Sequence, residues 1–279
     1  MLIDFLNEYY DAKLETIHDV AGNMHLSGRS EHYDCDLFVK IFKDEAKFYA
    51  EQHVNQVYCP DIYLDNVIYE DNYVVVLKDR IMEDIEKEDL SLDRVTYFGE
   101  KLAKFHETLT GHVLVPADTR PLSERIKEKV ELFHGTPYET QVNEVFKLIQ
   151  ADLEPADIDY ELLPKVVLHG DFSIRNLMVY QDRDVLIDFE RAHLGVAYED
   201  LIKFFYNEVQ NLGLRNAFLA GYRKQKELEI PNYSLQHCLL FLCALDILEF
   251  HLTHEKQKFG EMASEMLATI KKGDADLAL

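Results

Sequence analysis

Two acidic motifs in the second half of the chain contain the residue types that phosphoryl transfer needs. The first is a His-Gly-Asp tripeptide that ends at Asp171, with Asn176 five residues later. The second is Asp188, which follows a short apolar run. One carboxylate can orient an acceptor hydroxyl and take its proton, while an amide oxygen and a second carboxylate hold Mg²⁺ against the phosphates of ATP. We therefore expect Asp171 to be the catalytic carboxylate and Asn176 and Asp188 to bind the metal.

A surface turn with incidental acids is the alternative reading, because the chain contains 52 aspartates and glutamates. The tripeptide alone would be weak support for a site. The full pattern is HGDxxxxN, then an apolar strand, a turn at 181–184 and a second strand that ends in IDFE. This pattern is much more specific, and it predicts a loop, a hairpin and a second acidic loop.

The elements around these motifs change in type along the chain. The first eighty residues are rich in β-branched and aromatic residues, which predicts strands at 14–20, 24–28, 37–42, 62–69 and 73–77, with one helix at 44–54. Apolar residues at helical spacing then predict helices at 91–109, 122–134, 138–153, 198–211, 214–227, 233–256 and 260–272. The expected fold class is α/β (α+β) with two lobes: a small β-rich lobe at 1–78 and a larger helical lobe at 79–279.

Charge and cysteine content limit the partners. The net charge of −23 argues against nonspecific nucleic-acid binding, and it is compatible with a cationic substrate or simply with solubility. Four scattered cysteines match no zinc pattern. The N-terminus lacks the basic region of a signal peptide, and the apolar stretch 238–245 is too short to cross a bilayer. We expect a cytoplasmic protein without a membrane partner.

The segments VVLHGDFSIRNLMV, VLIDFERAHLG and YEDL resemble the aminoglycoside phosphotransferase and choline kinase family, which has a protein-kinase-like fold. The resemblance extends to the strand that contains Lys40 and to the helix at 98–106. It implies transfer of phosphate from ATP, with Mg²⁺, to a hydroxyl of a small molecule such as an aminoglycoside, choline, a sugar or an amino alcohol. The short stretch between Asp188 and Glu199 leaves no room for the long activation segment of protein kinases, so a protein acceptor is less expected.

Lys40 lies in a predicted strand, where its ammonium can reach the α- and β-phosphates of a nucleotide. The alternative is a solvated surface lysine. In a kinase-like site this lysine pairs with a carboxylate on the following helix, and both Glu45 and Glu51 are candidates. Glu45 fits the position in the resembling family better, being nearer the start of the helix, so we expect it to be the partner.

The remaining nucleotide contacts carry weaker signals. There is no glycine-rich GxGxxG loop, but a turn at Gly22 and Asn23 offers backbone N–H groups to phosphate oxygens. Adenine is expected to bind backbone groups near Asp79 and Ile81.

Several roles stay open at this level. Arg175 either neutralises the transferring phosphate or pairs with a surface carboxylate, which we favour. Glu190 either assists the metal or faces solvent. A pseudokinase that binds nucleotide without turnover and a metal-dependent phosphate hydrolase are the alternative functions, and the intact set of Lys40, Asp171, Asn176 and Asp188 argues against the first.

Overall fold

The computed structural model describes residues 1–20, 23–254 and 256–273, with the backbone alone at residues 19 and 20. The chain divides into two compact units. The first consists of Met1–Glu86, Phe105–Ala117 and His169–Leu194. The second consists of Lys87–Lys104, Asp118–Leu168 and the chain from Gly195 onward. The predicted boundary between residues 78 and 79 falls within the first unit and remains a prediction.

A five-stranded antiparallel sheet forms the main part of the first unit, in the order β1-β2-β3-β5-β4. Its strands are β1 (Glu15–Val20), β2 (Asn23–Ser30), β3 (Cys35–Phe42), β4 (Tyr63–Tyr69) and β5 (Asn72–Lys78). Helix α1 (Leu2–Tyr9) precedes the sheet, and helix α2 (Glu45–Tyr58) connects β3 to β4. The sequence predicted the strands and α2, whereas α1 was not predicted.

Alternation along β3 separates the two faces of this sheet, because successive side chains of a strand point to opposite sides. Val39 and Ile41 are buried in a core with Leu6 of α1. Phe42 is buried on the other face in a core that includes residues of α2. Lys40, two residues before Phe42, shares that second face. The alternation therefore buries a lysine on the side of the sheet that α2 covers.

The second half of the first unit contains the predicted hairpin. Strands β6 (Glu83–Asp84), β8 (Leu177–Tyr180) and β9 (Arg183–Leu186) form a three-stranded sheet in the order β6-β8-β9. Strand β7 (Lys165–Leu168) belongs to the second unit and forms a two-stranded sheet with β10 (His193–Val196). In the hairpin, Leu177 pairs with Leu186, so the residues just before β8 and just after β9 lie side by side.

The second unit is built from helices. They include most of α3 (Leu92–Leu109), together with α4 (Leu122–Glu131), α5 (Glu139–Ile149), α6 (Leu153–Leu162), α7 (Glu199–Asn207), α8 (Leu212–Gln225), α9 (Tyr233–His254) and α10 (Gln257–Lys271). Ser91 accepts a hydrogen bond from the Arg94 N–H at 3.2 Å, which is the helix start predicted for α3. The helix expected at 138–153 is observed as α5, which ends at Ile149, and α6 was not predicted. Pro155 lies in the first turn of α6, where a missing N–H costs no helical hydrogen bond.

Helix α9 is the most apolar element of the second unit. Within the described residues it is the one helix that is long and apolar enough to cross a membrane, with 22 residues and a mean hydropathy of 1.5. The core helix of a soluble protein meets the same criteria, and 61% of this stretch is buried inside the structure. The apolar stretch expected at 238–245 is the middle of this longer helix.

Candidate active site

The catalytic loop follows β7 and is held by its own side chains. Asp171 is 5% exposed, and its backbone carbonyl accepts a hydrogen bond from Asn176 Nδ2 at 2.8 Å. His169 is fully buried; its Nδ1 accepts the Asp171 N–H at 3.3 Å and its Nε2–H donates to the Ile187 carbonyl at 3.0 Å. The histidine thus braces the loop against the segment that contains Asp188.

Gly170 allows the tight backbone of this loop. Its φ is +75°, and a Cβ at this position would lie 2.2 Å from the carbonyl oxygen of Arg191. Any other residue would be strained and would clash with backbone.

The hairpin brings the two predicted metal ligands to one place. Asn176 ends the short 3₁₀ turn before β8, and Asp188 follows β9 by two residues. The Ile187 N–H donates to the Asn176 carbonyl at 3.0 Å, which joins the two loops directly. Asp188 has a φ of +68°, an uncommon conformation for a residue other than glycine. Both Asn176 and Asp188 line the same pocket.

Lys40 is the centre of an ion cluster. Its Nζ lies 2.8 Å from Glu51 Oε1 and 2.7 Å from Asp188 Oδ1. The second oxygen of Glu51 accepts the N–H of Phe189 at 2.7 Å, and Asn55 Nδ2 donates to Oε1 at 3.2 Å. Glu51 is 1% exposed, so this carboxylate is fully used by the protein.

The predicted pairing of Lys40 with Glu45 is wrong. Glu45 is exposed in the first turn of α2, whereas Glu51 lies deeper along the helix, on its buried face with Phe48 and Asn55. The lysine side chain emerges from the middle of β3, and it meets the second turn of the helix rather than the first.

The pKa values in this cluster are set by burial and by the attraction between one ammonium, Lys40, and two carboxylates, Glu51 and Asp188. Burial alone would lower the pKa of Lys40, but Glu51 and Asp188 raise it above its ordinary value. Burial raises the pKa of Glu51, which Lys40 offsets only in part. For Asp188, Lys40 outweighs the effect of burial and lowers the pKa to about 2. Lys40 is therefore held as an ammonium and Asp188 as a carboxylate at neutral pH.

A pocket of about 400 Å³ opens beside this cluster, within the first unit. Its apolar lining includes Phe38, Ile62, Leu77, Met82, Met178 and Leu186. Asp79 lines the pocket; its N–H donates to the Asp36 carbonyl at 2.8 Å and its carboxylate accepts from Ser27 Oγ at 2.6 Å. The side chain of Ile81 is 95% exposed, and its neighbours Arg80 and Met82 line the pocket. The backbone of Ile81, and not its side chain, therefore remains a candidate group for binding adenine.

The turn expected to cover the phosphates is described in part. Gly22 lies outside the described residues. Asn23 Nδ2 donates to Glu190 Oε2 at 2.7 Å, and Lys47 Nζ lies 3.0 Å from Glu190 Oε1. Glu190 thus ties the start of β2 and helix α2 to the loop after Asp188, rather than facing solvent.

Arg175 pairs with a carboxylate, as favoured from the sequence, but the partner is Asp171 itself. The arginine is 62% exposed and the aspartate is buried. The pair fixes the orientation of the carboxylate that we expect to receive the acceptor hydroxyl.

Two histidines that the sequence analysis did not single out also line the pocket. His18 and His25 are directly opposite each other on β1 and β2, and His25 is directly opposite Lys40 on β3. In the same register Val20 pairs with Asn23, and His18 and His25 each lie two residues away from that pair. Only this register, and no residue propensity, could have placed the two histidines together.

The donors in this site suit a hard divalent cation. Asn176 uses its Nδ2 on the Asp171 carbonyl, which leaves the amide oxygen as its ligand atom, and Asp188 is ionised. Within the described residues, no cluster of three or more His, Cys, Asp or Glu side chains could hold a metal. Two oxygen ligands from protein match Mg²⁺, which takes its remaining ligands from water and phosphates.

Comparison with known proteins identifies the family. Residues 38–233, well over half of the chain, match the phosphotransferase enzyme family, APH. No curated protein sequence matches the chain.

Solved structures with similar folds are small-molecule phosphotransferases. The aminoglycoside phosphotransferase APH(4)-Ia superposes with a TM-score of 0.63 at 15% identity, over 96% of this chain and 97% of its own. The amicoumacin kinase hAmiN gives a TM-score of 0.67 at 14% identity, over 97% and 93%. A choline/ethanolamine kinase family protein from Mesorhizobium loti gives 0.64 at 15% identity, over 98% and 94%.

These similarities confirm the predicted fold class, with its N-terminal sheet and helical C-terminal region, as kinase-like. At such low identity, the structures show the fold, whereas the match over residues 38–233 shows the family. We conclude that the chain is an enzyme and belongs to the phosphotransferase enzyme family.

Proposed function

We propose that the protein transfers the γ-phosphoryl group of ATP to a hydroxyl group of a small molecule, with Mg²⁺. The observation that carries this proposal is the buried contact of Lys40 with both Glu51 and Asp188 beside an apolar pocket. A strand lysine fixed by a helix glutamate, next to an acidic metal loop, is the arrangement that positions a triphosphate in kinases.

Each residue has a separate task in this proposal. Lys40 binds the phosphates, and Glu51 holds the lysine in place. The oxygens of Asn176 and Asp188 bind Mg²⁺, which when bound would neutralise phosphate charge. Asp171 orients the acceptor hydroxyl and accepts its proton, while Arg175 fixes the carboxylate of Asp171.

The pocket has the size and lining expected for adenine. Its volume of about 400 Å³ lies within the usual range for ligand sites, and most of its lining is apolar. Because the Asp79 N–H is bonded to Asp36, the Asp79 carbonyl is the group offered to the base at this position. We propose the N–H of Ile81, two residues further along the chain, as the backbone donor to the base.

The class of acceptor is proposed from charge and from the relatives. Similar structures hold hygromycin B with APH(4)-Ia and spectinomycin with APH(9)-Ia. The chain carries 52 acidic and 29 basic residues, a balance that attracts cations. We propose a cationic hydroxyl compound, of the aminoglycoside, choline or amino-alcohol class, ahead of a neutral sugar.

The variant Asp171→Asn tests the assignment. It keeps the shape of the loop but removes the charge, so we expect acceptor phosphorylation to fall by about 10²–10⁴-fold while Mg·ATP binding changes only about threefold. Asp182→Asn, an exposed turn residue of the same type, is the matched control. A panel of cationic and neutral hydroxyl compounds supplies the acceptors, and ATP consumption is measured with and without each.

The outcomes separate the three candidate functions. A kinase consumes ATP when its acceptor is present, a hydrolase does so without one, and a pseudokinase binds ATP without consuming it. An Asp171→Asn variant that turns over within threefold of wild type would remove Asp171 from catalysis.

A further inference from the structure

The wall of the pocket nearest Lys40 carries an imidazole pair with no role in the function proposed above. His25 lies directly opposite Lys40 across β2 and β3, and directly opposite His18 across β1 and β2. Side chains at directly opposed positions share one face of the sheet with their Cβ atoms ~5 Å apart. All three side chains line the pocket.

The His25 ring is held in place on two sides. Its Nδ1 lies 2.6 Å from Nε2 of His18, a distance at which the two nitrogens share one proton in a hydrogen bond. Its ring packs on Phe38, with ring centroids 5.3 Å apart. The direction of the remaining nitrogen, Nε2, is therefore fixed by the protein.

His25 Nε2 is buried and finds no hydrogen-bond partner among the residues that the structure describes. A buried polar atom without a partner is unfavourable and rare in folded proteins, so its presence in a ligand pocket calls for an explanation. Burial, assisted by Lys40 and His18, lowers the pKa of His25 to about 4, so the ring is neutral and carries one proton at neutral pH.

We propose that His25 is a nucleotide-binding residue whose Nε2–H donates a hydrogen bond to a phosphate oxygen, and that His18 is a positioning residue that fixes this tautomer. The inference rests on the proposed function, because it requires a nucleoside triphosphate in the pocket. In this proposal the Nε2–H of the exposed His18 donates to His25 Nδ1 across the 2.6 Å contact, which leaves the single proton of His25 on Nε2. Lys40, on the adjacent strand, draws the phosphates to that donor.

Binding of Mg·AMP-PNP and of adenosine to a small set of variants tests the proposal. His25→Phe keeps the ring packing but lacks the donor, and we expect about tenfold weaker binding of Mg·AMP-PNP with adenosine unchanged, since a hydrogen bond to a charged group is lost. His25→Gln places an amide N–H near the position of Nε2, so we expect it to bind Mg·AMP-PNP only about threefold more weakly than wild type. His32→Phe, the same change at an exposed histidine outside the pocket, is the control.

Nitrogen-15 NMR of the wild-type protein gives a readout that does not depend on any His25 variant folding. The Nε2 of His25 should be the protonated nitrogen, and its proton signal should move downfield with Mg·AMP-PNP. The variant His18→Phe should lower the fraction of that tautomer.

The outcomes distinguish this inference from the proposed function. If wild type binds Mg·AMP-PNP and His25→Phe binds it equally well, the inference is wrong and the proposed function stands. Equal losses for adenosine and Mg·AMP-PNP, or an unprotonated Nε2, would also overturn the inference. If wild type does not bind Mg·AMP-PNP, both fail.

Discussion

At the scale of single residues, the site depends on which carboxylate meets Lys40. Glu51 gives one oxygen to the lysine and the other to the Phe189 N–H, so it joins β3 to the loop that contains Asp188. Spacing along α2 did not distinguish Glu51 from Glu45, because both lie near the helix face of Phe48. The six residues from Glu45 to Glu51 correspond to ~9 Å along the helix axis. Which of the two carboxylates reaches Lys40 depends on how α2 packs against the sheet, and the sequence alone does not give that packing.

The variant Glu51→Gln should damage stability and activity together. An amide would turn a donor toward either Lys40 or the Phe189 N–H, and a buried donor without an acceptor costs about 1–3 kcal/mol. We expect a lower free energy of unfolding in urea and a raised KM for ATP. Glu45→Gln is the matched control and should change the unfolding free energy by less than about 0.5 kcal/mol, as exposed substitutions do. The reverse ranking would restore Glu45 as the partner.

At the scale of elements, the catalytic loop depends on a single glycine. Gly170 has a positive φ, and a Cβ added there would lie 2.2 Å from the carbonyl oxygen of Arg191, too close for any real contact. Gly111 also has a positive φ, of +79°, but a Cβ there would meet no described atom within 4 Å. The two positions therefore separate backbone strain from steric clash.

We expect Gly111→Ala to cost about 1–2 kcal/mol from backbone conformation alone, and Gly170→Ala to cost about 3 kcal/mol or more because the clash is added. Urea unfolding of both variants measures the difference. Phosphotransfer should be lost in Gly170→Ala and kept in Gly111→Ala. If the two variants lost equal amounts of unfolding free energy, the backbone at Arg191 would be able to move away from the added Cβ at little energetic cost.

Local patterns predicted most elements, and they failed where a boundary depends on packing or on one residue. Strand alternation and the HGDxxxxN motif were enough to predict the sheet, the hairpin and the loop beside Asp171. Helix α6 was missed, because Pro155 was not treated as a residue of a first turn. The positions of His18 and His25 required the exact register of β1 and β2, which no propensity specifies.

At the scale of the whole molecule, 52 acidic residues against 29 basic ones leave a large negative charge. Such a charge destabilises a folded chain by self-repulsion. Raising the ionic strength from about 0.01 M to about 0.1 M shortens the screening length from about 30 Å to about 10 Å, so we expect Tm to rise. Thermal unfolding in NaCl, with sucrose as a nonionic control, measures this, and a Tm that falls with salt would contradict it.

The Lys40 cluster also carries an excess of negative charge, because two carboxylates contact one ammonium. The variant Asp188→Asn would neutralise it, keep an oxygen for Lys40 and place at φ +68° a residue type that tolerates this conformation. Because Lys40 lowers the pKa of Asp188 to about 2, the ionised carboxylate stabilises the folded protein at neutral pH. We therefore expect the variant to unfold at a lower temperature than wild type without ligand and to lose Mg²⁺-dependent nucleotide binding. A higher Tm would show that the second carboxylate destabilises the free protein.

The consequence of that arrangement concerns how the protein can change under selection. A library of variants screened for heat resistance alone should retain aspartate at position 188, although such a screen never measures turnover. A second screen that requires turnover should select the same residue. Selection for stability and selection for catalysis therefore act in the same direction at this one position.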